Sequence, residues 1–197
     1  MLSEMILYMT WIRRIFVVSE QKLFFDTDCL SAFLWVDEQA ILPQLYPGRI
    51  VIPEPVYQEL SRPQVSHLKR RIDILVKNKQ VRIIPIEYSQ HSYLMYLQMI
   101  SSPEKGKKII GKGEASALAL AFENDGIVAS NNLKDIIQYI DDYNLLYMTT
   151  GDILIEAYAK GIITEDEGNK IWSDMLNRRR KLGAYSFSEY LSEHGRK

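Results

Sequence analysis

Acidic side chains recur in this chain where apolar runs stop. Leu23-Phe24-Phe25-Asp26-Thr27-Asp28 sets a carboxylate directly behind a strand-like run. Ligands of open parallel sheets gather outside the carboxyl ends of strands, so an acid there faces a crevice. Asp26 is the first candidate ligand for a hard cation. It could equally serve as N-cap of a helix beginning near Cys29, a role also open to Thr27 or Asp28. In Ile52-Pro53-Glu54-Pro55-Val56-Tyr57-Gln58-Glu59-Leu60 the prolines suit a helix start, and Glu59, one turn from Val56, points partly inward. Taken alone, a glutamate on such a rim commonly stays in solvent.

The segment Gly111-Lys112-Gly113-Glu114-Ala115-Ser116-Ala117-Leu118-Ala119-Leu120-Ala121 is more telling. Glu114, Ala117, Leu118 and Ala121 share one helical face, so the glutamate heads an apolar stripe aimed at the core. A carboxylate there requires a cation, a basic side chain or backbone donors, or it serves the helix dipole as a first-turn acid. Ile127-Val128-Ala129-Ser130-Asn131-Asn132-Leu133-Lys134-Asp135 again places polar side chains behind an apolar run. Asn131 and Asn132 offer carbonyl oxygens or helix caps, and Asp135 adds charge from the first turn of the next helix.

The elements that must position these groups follow from periodicity. Short runs rich in β-branched or aromatic residues predict strands at Leu23–Asp26, Arg49–Ile52, Val81–Ile86, Gly126–Ser130 and Leu145–Met148. Helical spacing fills the intervals at Val65–Lys77, Tyr88–Ile100, Glu114–Asn124 and Leu133–Tyr143, so strands and helices alternate as around a parallel sheet. The expected class is α/β. After Met148 only helices are expected: one from Thr150-Gly151-Asp152 to about Lys160, ended by Gly161, and a second behind the capping pair Thr164 and Glu167. Its stripe of Ile171, Trp172, Met175 and Leu176 suits packing on the sheet or on a partner. Arg178-Arg179-Arg180-Lys181 either meets phosphates or is a solvated cluster complementing a helix end.

Composition limits the rest. The 197 residues are 47% hydrophobic with 24 basic and 25 acidic side chains, the balance of one folded domain without an overall basic character. Lone Cys29 cannot form an internal disulfide and reads as a buried, inert thiol. Arg13 and Arg14 interrupt the apolar stretch Met5–Val18, and no run approaches the roughly 18 apolar residues of a membrane span. A cytoplasmic protein is expected, without a membrane. His67, His91 and His194 lack zinc-like spacing, and no nucleotide-binding Gly-Lys-Ser/Thr sequence or dinucleotide fingerprint is present.

Taken together, Asp26-Thr27-Asp28, Glu59-Leu60, Gly113-Glu114-Ala115 with its Ala/Leu run, and Ser130-Asn131-Asn132 resemble, in order and spacing, the motifs of the PIN-domain family. The resemblance implies a PIN-like three-layer fold over 22–150, with a parallel sheet between helices. Residues 1–21 would then be an N-terminal extension and 151–197 a C-terminal helical extension packed on the domain. It further implies a Mg²⁺- or Mn²⁺-dependent ribonuclease that hydrolyses phosphodiester bonds in single-stranded RNA, with Asp26, Glu59, Glu114 and Asp135 as catalytic residues. Asp26, Glu114, Asn132 and Asp135 would hold the metal. The family normally carries aspartate where this chain has Asn132, a loss of one charge that Asp135 would have to make good. Without that compensation the chain would be a weakened module binding RNA or a protein. Lys105, Lys107, Lys108 and Lys112 precede Glu114 in a Gly-containing loop; Lys108, Lys112 and Ser130 are the expected RNA contacts, loop solubility being the other reading of the lysines. Many members are toxins held by an antitoxin, and a homodimer is also compatible with the sequence. Without metal the gathered acids would be like charges, so at least one carboxyl should have a raised pKa.

Overall fold

The five apolar runs pair side by side as one parallel sheet in the order β3-β2-β1-β4-β5. The computed structural model describes residues 20–87, 91–104 and 106–195. The strands are β1 (Leu23–Phe25), β2 (Ile50–Pro53), β3 (Val81–Ile84), β4 (Ile127–Ala129) and β5 (Leu146–Met148). Each lies within one or two residues of its expected span. Leu23 pairs with both Ile50 and Ile127, so β1 is central, and the chain winds outward to β3 before crossing to β4. The strand order therefore reverses between β1 and β4, which opens a crevice beyond their carboxyl ends. Asp26 follows β1 and Ser130-Asn131-Asn132 follow β4, so both polar segments stand at this switch point.

Between the strands run α1 (Thr27–Trp35), α2 (Ile41–Leu45), α3 (Glu54–Leu60), α4 (Ser66–Lys77), α5 (His91–Ser101), α6 (Lys112–Glu123) and α7 (Leu133–Asp142). Side chains of a strand alternate between faces, and the sheet divides its helices accordingly. Phe24, Val51 and Val128 pack on the α5–α7 side, whereas Leu23, Phe25, Ile50, Ile52, Ile127 and Ala129 face the other layer. The three-layer α/β arrangement thus follows from the period-2 pattern. One sequence expectation for α6 was too narrow: Ala115 to Ala121 are all buried, so the helix is enclosed nearly all round instead of presenting a single apolar stripe.

The chain ends in α8 (Thr150–Ala159), α9 (Glu165–Asn177) and α10 (Phe187–His194). Gly161 ends the first of these in the left-handed region at φ 67°, and Thr164 with Glu167 caps the second, as expected. The last helix was not foreseen; it is capped by Ser186, whose hydroxyl accepts the Glu189 N–H. Trp172, Met175 and Phe187 are fully buried in the same core as Phe25 and Leu30. Cys29 is buried too, and burial holds its thiol far above the usual range, the inert state expected of it. No helix among the described residues is long and apolar enough to cross a membrane. The expectations for 1–19, for the Tyr88 start of α5 and for Lys105 lie outside the described residues.

Candidate active site

Asp26 takes the helix-capping role with one oxygen and leaves the other without a hydrogen-bond partner. Its Oδ1 accepts the Cys29 N–H at 2.7 Å and caps α1. Oδ2 is buried and has no hydrogen-bond partner. An ionised carboxylate oxygen without a donor is costly in a protein interior. The group responds by holding its proton: its pKa is pushed up from 3.8 to about 7, chiefly by burial, against the lowering influence of the Ser130 hydroxyl and the Cys29 N–H. The nearby charges of Asp28 and Glu114 add smaller upward contributions. A raised carboxyl pKa was expected, but its main cause is desolvation and not repulsion between gathered acids.

Around Asp26 the starts of α1 and α6 and the last turn of α3 bring up the other groups. Thr27, in the first turn of α1, donates its hydroxyl to Glu59 Oε2 on α3 at 2.5 Å. Gly113 at the start of α6 packs directly on this pair, because a Cβ there would lie 2.4 Å from Thr27 Oγ1 and 3.1 Å from Glu59 Oε2. Glu114 reaches back to accept the Gly111 N–H at 2.8 Å, which satisfies its own helix end. Thr27, Asp28, Glu59 and Glu114 line one open cleft of about 210 Å³.

Asn132 closes the other side. Its amide nitrogen donates to Glu114 Oε1 at 2.6 Å and to Asp135 Oδ2 at 2.9 Å, bridging the two carboxylates. Lys108 pairs with the remaining oxygen of Asp135 at 2.9 Å, and this ammonium together with Asn132 holds the Asp135 pKa below the usual carboxylate range. Asn131 plays a different part, joining the end of β4 to the start of α8 through two hydrogen bonds with Thr150. Of the expected RNA contacts, Lys112 is exposed and Lys108 is tied to Asp135, but Ser130 is buried. Its hydroxyl accepts the Asn132 N–H, so it belongs to the inside of the site and not to a surface facing RNA. The sequence reading passed over Thr27 and Gly113 as parts of the site. Their position in the same short motifs as Asp26 and Glu114 was the available signal.

Among the described residues no three acids, histidines or cysteines stand together in a ready metal cage. The donor set nevertheless fits a hard divalent cation in kind: every candidate ligand is an oxygen, and the orphaned Asp26 Oδ2 is the atom that lacks a positive partner. At Glu114 and Asp135, N–H donors now occupy oxygens that a cation would have to share.

A family model described as a PIN domain matches residues 22–196. The chain belongs to the PIN-domain family, whose members are generally nucleases. No curated protein sequence matches it. The match runs through the C-terminal helices, in keeping with the burial of Trp172 and Phe187 in the main core.

Proposed function

We propose that the chain is a cytoplasmic, Mg²⁺- or Mn²⁺-dependent nuclease that hydrolyses phosphodiester bonds in single-stranded RNA. The observation supporting this most strongly is the unpartnered Asp26 Oδ2, buried at the switch point of the sheet beside Glu114. Asp26 and Glu114 would hold the ion, with Asp135 joining once its contacts to Asn132 and Lys108 yield. A bound ion supplies charge stabilisation to the phosphate and lowers the pKa of water. Glu59 is fixed by the Thr27 hydroxyl through Oε2, leaving Oε1 as the oxygen that can take a proton from the attacking water. Lys108, at the rim, places an ammonium where a phosphate would enter.

The test is cleavage of a labelled single-stranded RNA by purified protein with Mn²⁺, Mg²⁺ or EDTA, beside Glu114→Gln. Cleavage should need the metal and fall at least about a hundredfold in the variant, on the scale of a lost charge-stabilising group. Cleavage in EDTA, or undiminished by the variant, would refute the assignment. A second reading has one observation in its favour: the Asn132 amide donates to both Glu114 and Asp135 and so takes up one oxygen of each. On that reading the chain is a weakened module that binds RNA or a protein, an antitoxin included. Asn132→Asp separates the two, since a large gain in metal-dependent cleavage would mark the natural chain as attenuated.

A further inference from the structure

Asn132, which hydrogen-bonds Glu114 of the carboxylate cleft, also lines a second groove of about 400 Å³. Lys134 of α7, Lys181 and Leu182 of the segment before α10, and Tyr190 and His194 of α10 line it. The volume lies within the range of small-ligand sites and suits one nucleotide, and neither lysine makes an ion pair among the described residues. The backbone donors of α8 that border the groove are largely taken. Thr149 N–H goes to Asp152, Thr150 N–H to Asn131 and Asp152 N–H to Thr149 Oγ1, so positive charge must come from the lysines. Tyr190 and His194 stack on each other with centroids 4.1 Å apart and planes 14° from parallel. Tyr190 is buried and anchored by Thr149 and Asp152, so it backs His194, the more exposed ring of the pair, as a firm aromatic wall. Arg180, one residue before Lys181, reaches Ser31 at 3.2 Å and Asp28 at 3.9 Å, and Asp28 lines the carboxylate cleft. The segment that carries Lys181 is thereby fastened beside both hollows.

We infer that this groove is an RNA subsite holding a nucleotide next to the scissile phosphate. Lys134 and Lys181 take its phosphate, and the Leu182, Tyr190 and His194 side receives its base. The inference rests on the nuclease reading for its substrate but on different residues for its support. Free phosphate explains the two lysines but not the apolar and aromatic wall, and stacking on such a wall is how single-stranded RNA is commonly held.

The test is binding of a short fluorescently labelled single-stranded RNA to the full chain in EDTA, read by anisotropy over a range of salt. Lys134→Ala with Lys181→Ala should weaken binding roughly tenfold or more and flatten the log–log salt slope by about 1.4, the effect of two lost phosphate contacts on a single strand. Its melting temperature should not change, because both side chains are exposed. The control is Lys77→Ala with Lys160→Ala, the same change in net charge at the C-terminal ends of α4 and α8 and outside the groove lining, and it should bind as the natural chain does. Equal binding by the Lys134/Lys181 variant, equal weakening by the control, or no RNA binding at all would overturn the subsite. Metal-dependent cleavage alongside any of these outcomes would leave the nuclease reading standing. Subsite-dependent binding without cleavage would remove the nuclease reading and keep the groove.

Discussion

One oxygen of Asp26 is spent on a helix cap while the other is buried without a hydrogen-bond partner, so the metal-free site should show itself as a pH dependence of stability. The folded carboxyl holds its proton up to about 7, whereas an unfolded aspartate loses it near 3.8. Between those values the native state binds more protons than the unfolded state, and stability must fall as pH rises. The full window corresponds to at most about 4 kcal/mol. In EDTA the melting temperature should therefore decline from pH 4 to pH 7 and then level, as far as this group governs it. Asp26→Asn should remove that component of the decline, and Mn²⁺ should raise the melting temperature at pH 8 only in the natural chain. A decline of the same size in Asp26→Asn would show that another group causes it.

At the level of elements, the site depends on how closely α6 approaches α1 and α3. The approach is possible because residue 113 has no side chain. Gly113→Ala would drive a methyl group into the Thr27 hydroxyl, and the Thr27–Glu59 hydrogen bond would have to break or the helices separate. Overpacking of this kind costs about 1–3 kcal/mol. The variant should remain folded by circular dichroism yet lose most of its metal-dependent cleavage. Full activity would mean that the Thr27–Glu59 contact is dispensable.

For the molecule as a whole, the C-terminal helices complete the core on one face of the sheet. Trp172 is fully buried, its ring nitrogen donating to Ala184 O at 3.1 Å, and it packs near Phe187 and Tyr190. Trp172→Ala should cost about 3–5 kcal/mol of global stability. Urea unfolding followed by far-ultraviolet dichroism and by tyrosine fluorescence should give coincident transitions shifted together. If the probes separated, with the sheet unfolding at its original midpoint, the C-terminal helices would be an independent unit.

The strands were legible in the sequence because β1 to β5 are short apolar runs bounded by glycine, proline or polar residues, which burial on both sheet faces demands of the inner strands β1, β2 and β4, while the edge strands β3 and β5 are partly exposed. The same local logic gave the caps at Thr164 and Gly161 and marked Asp26, Glu59, Glu114 and Asp135 as acids at element ends. Whether these acids share a site is a matter of strand order, and the reversal between β1 and β4 is a long-range pairing that periodicity does not encode. The sequence likewise left open whether Asp26 caps a helix or awaits a cation; only the packed site shows that one oxygen makes the cap while the other is buried without a hydrogen bond. Asn132 read as a missing charge, yet in the fold its amide joins Glu114, 18 residues before it, to Asp135. Lys181 read as part of a charge cluster after a helix. It becomes a wall of a groove only because the chain folds back to set α10 beside the ends of β4 and β5, and that return is decided by the burial of Trp172 and Phe187 in a core built by distant segments.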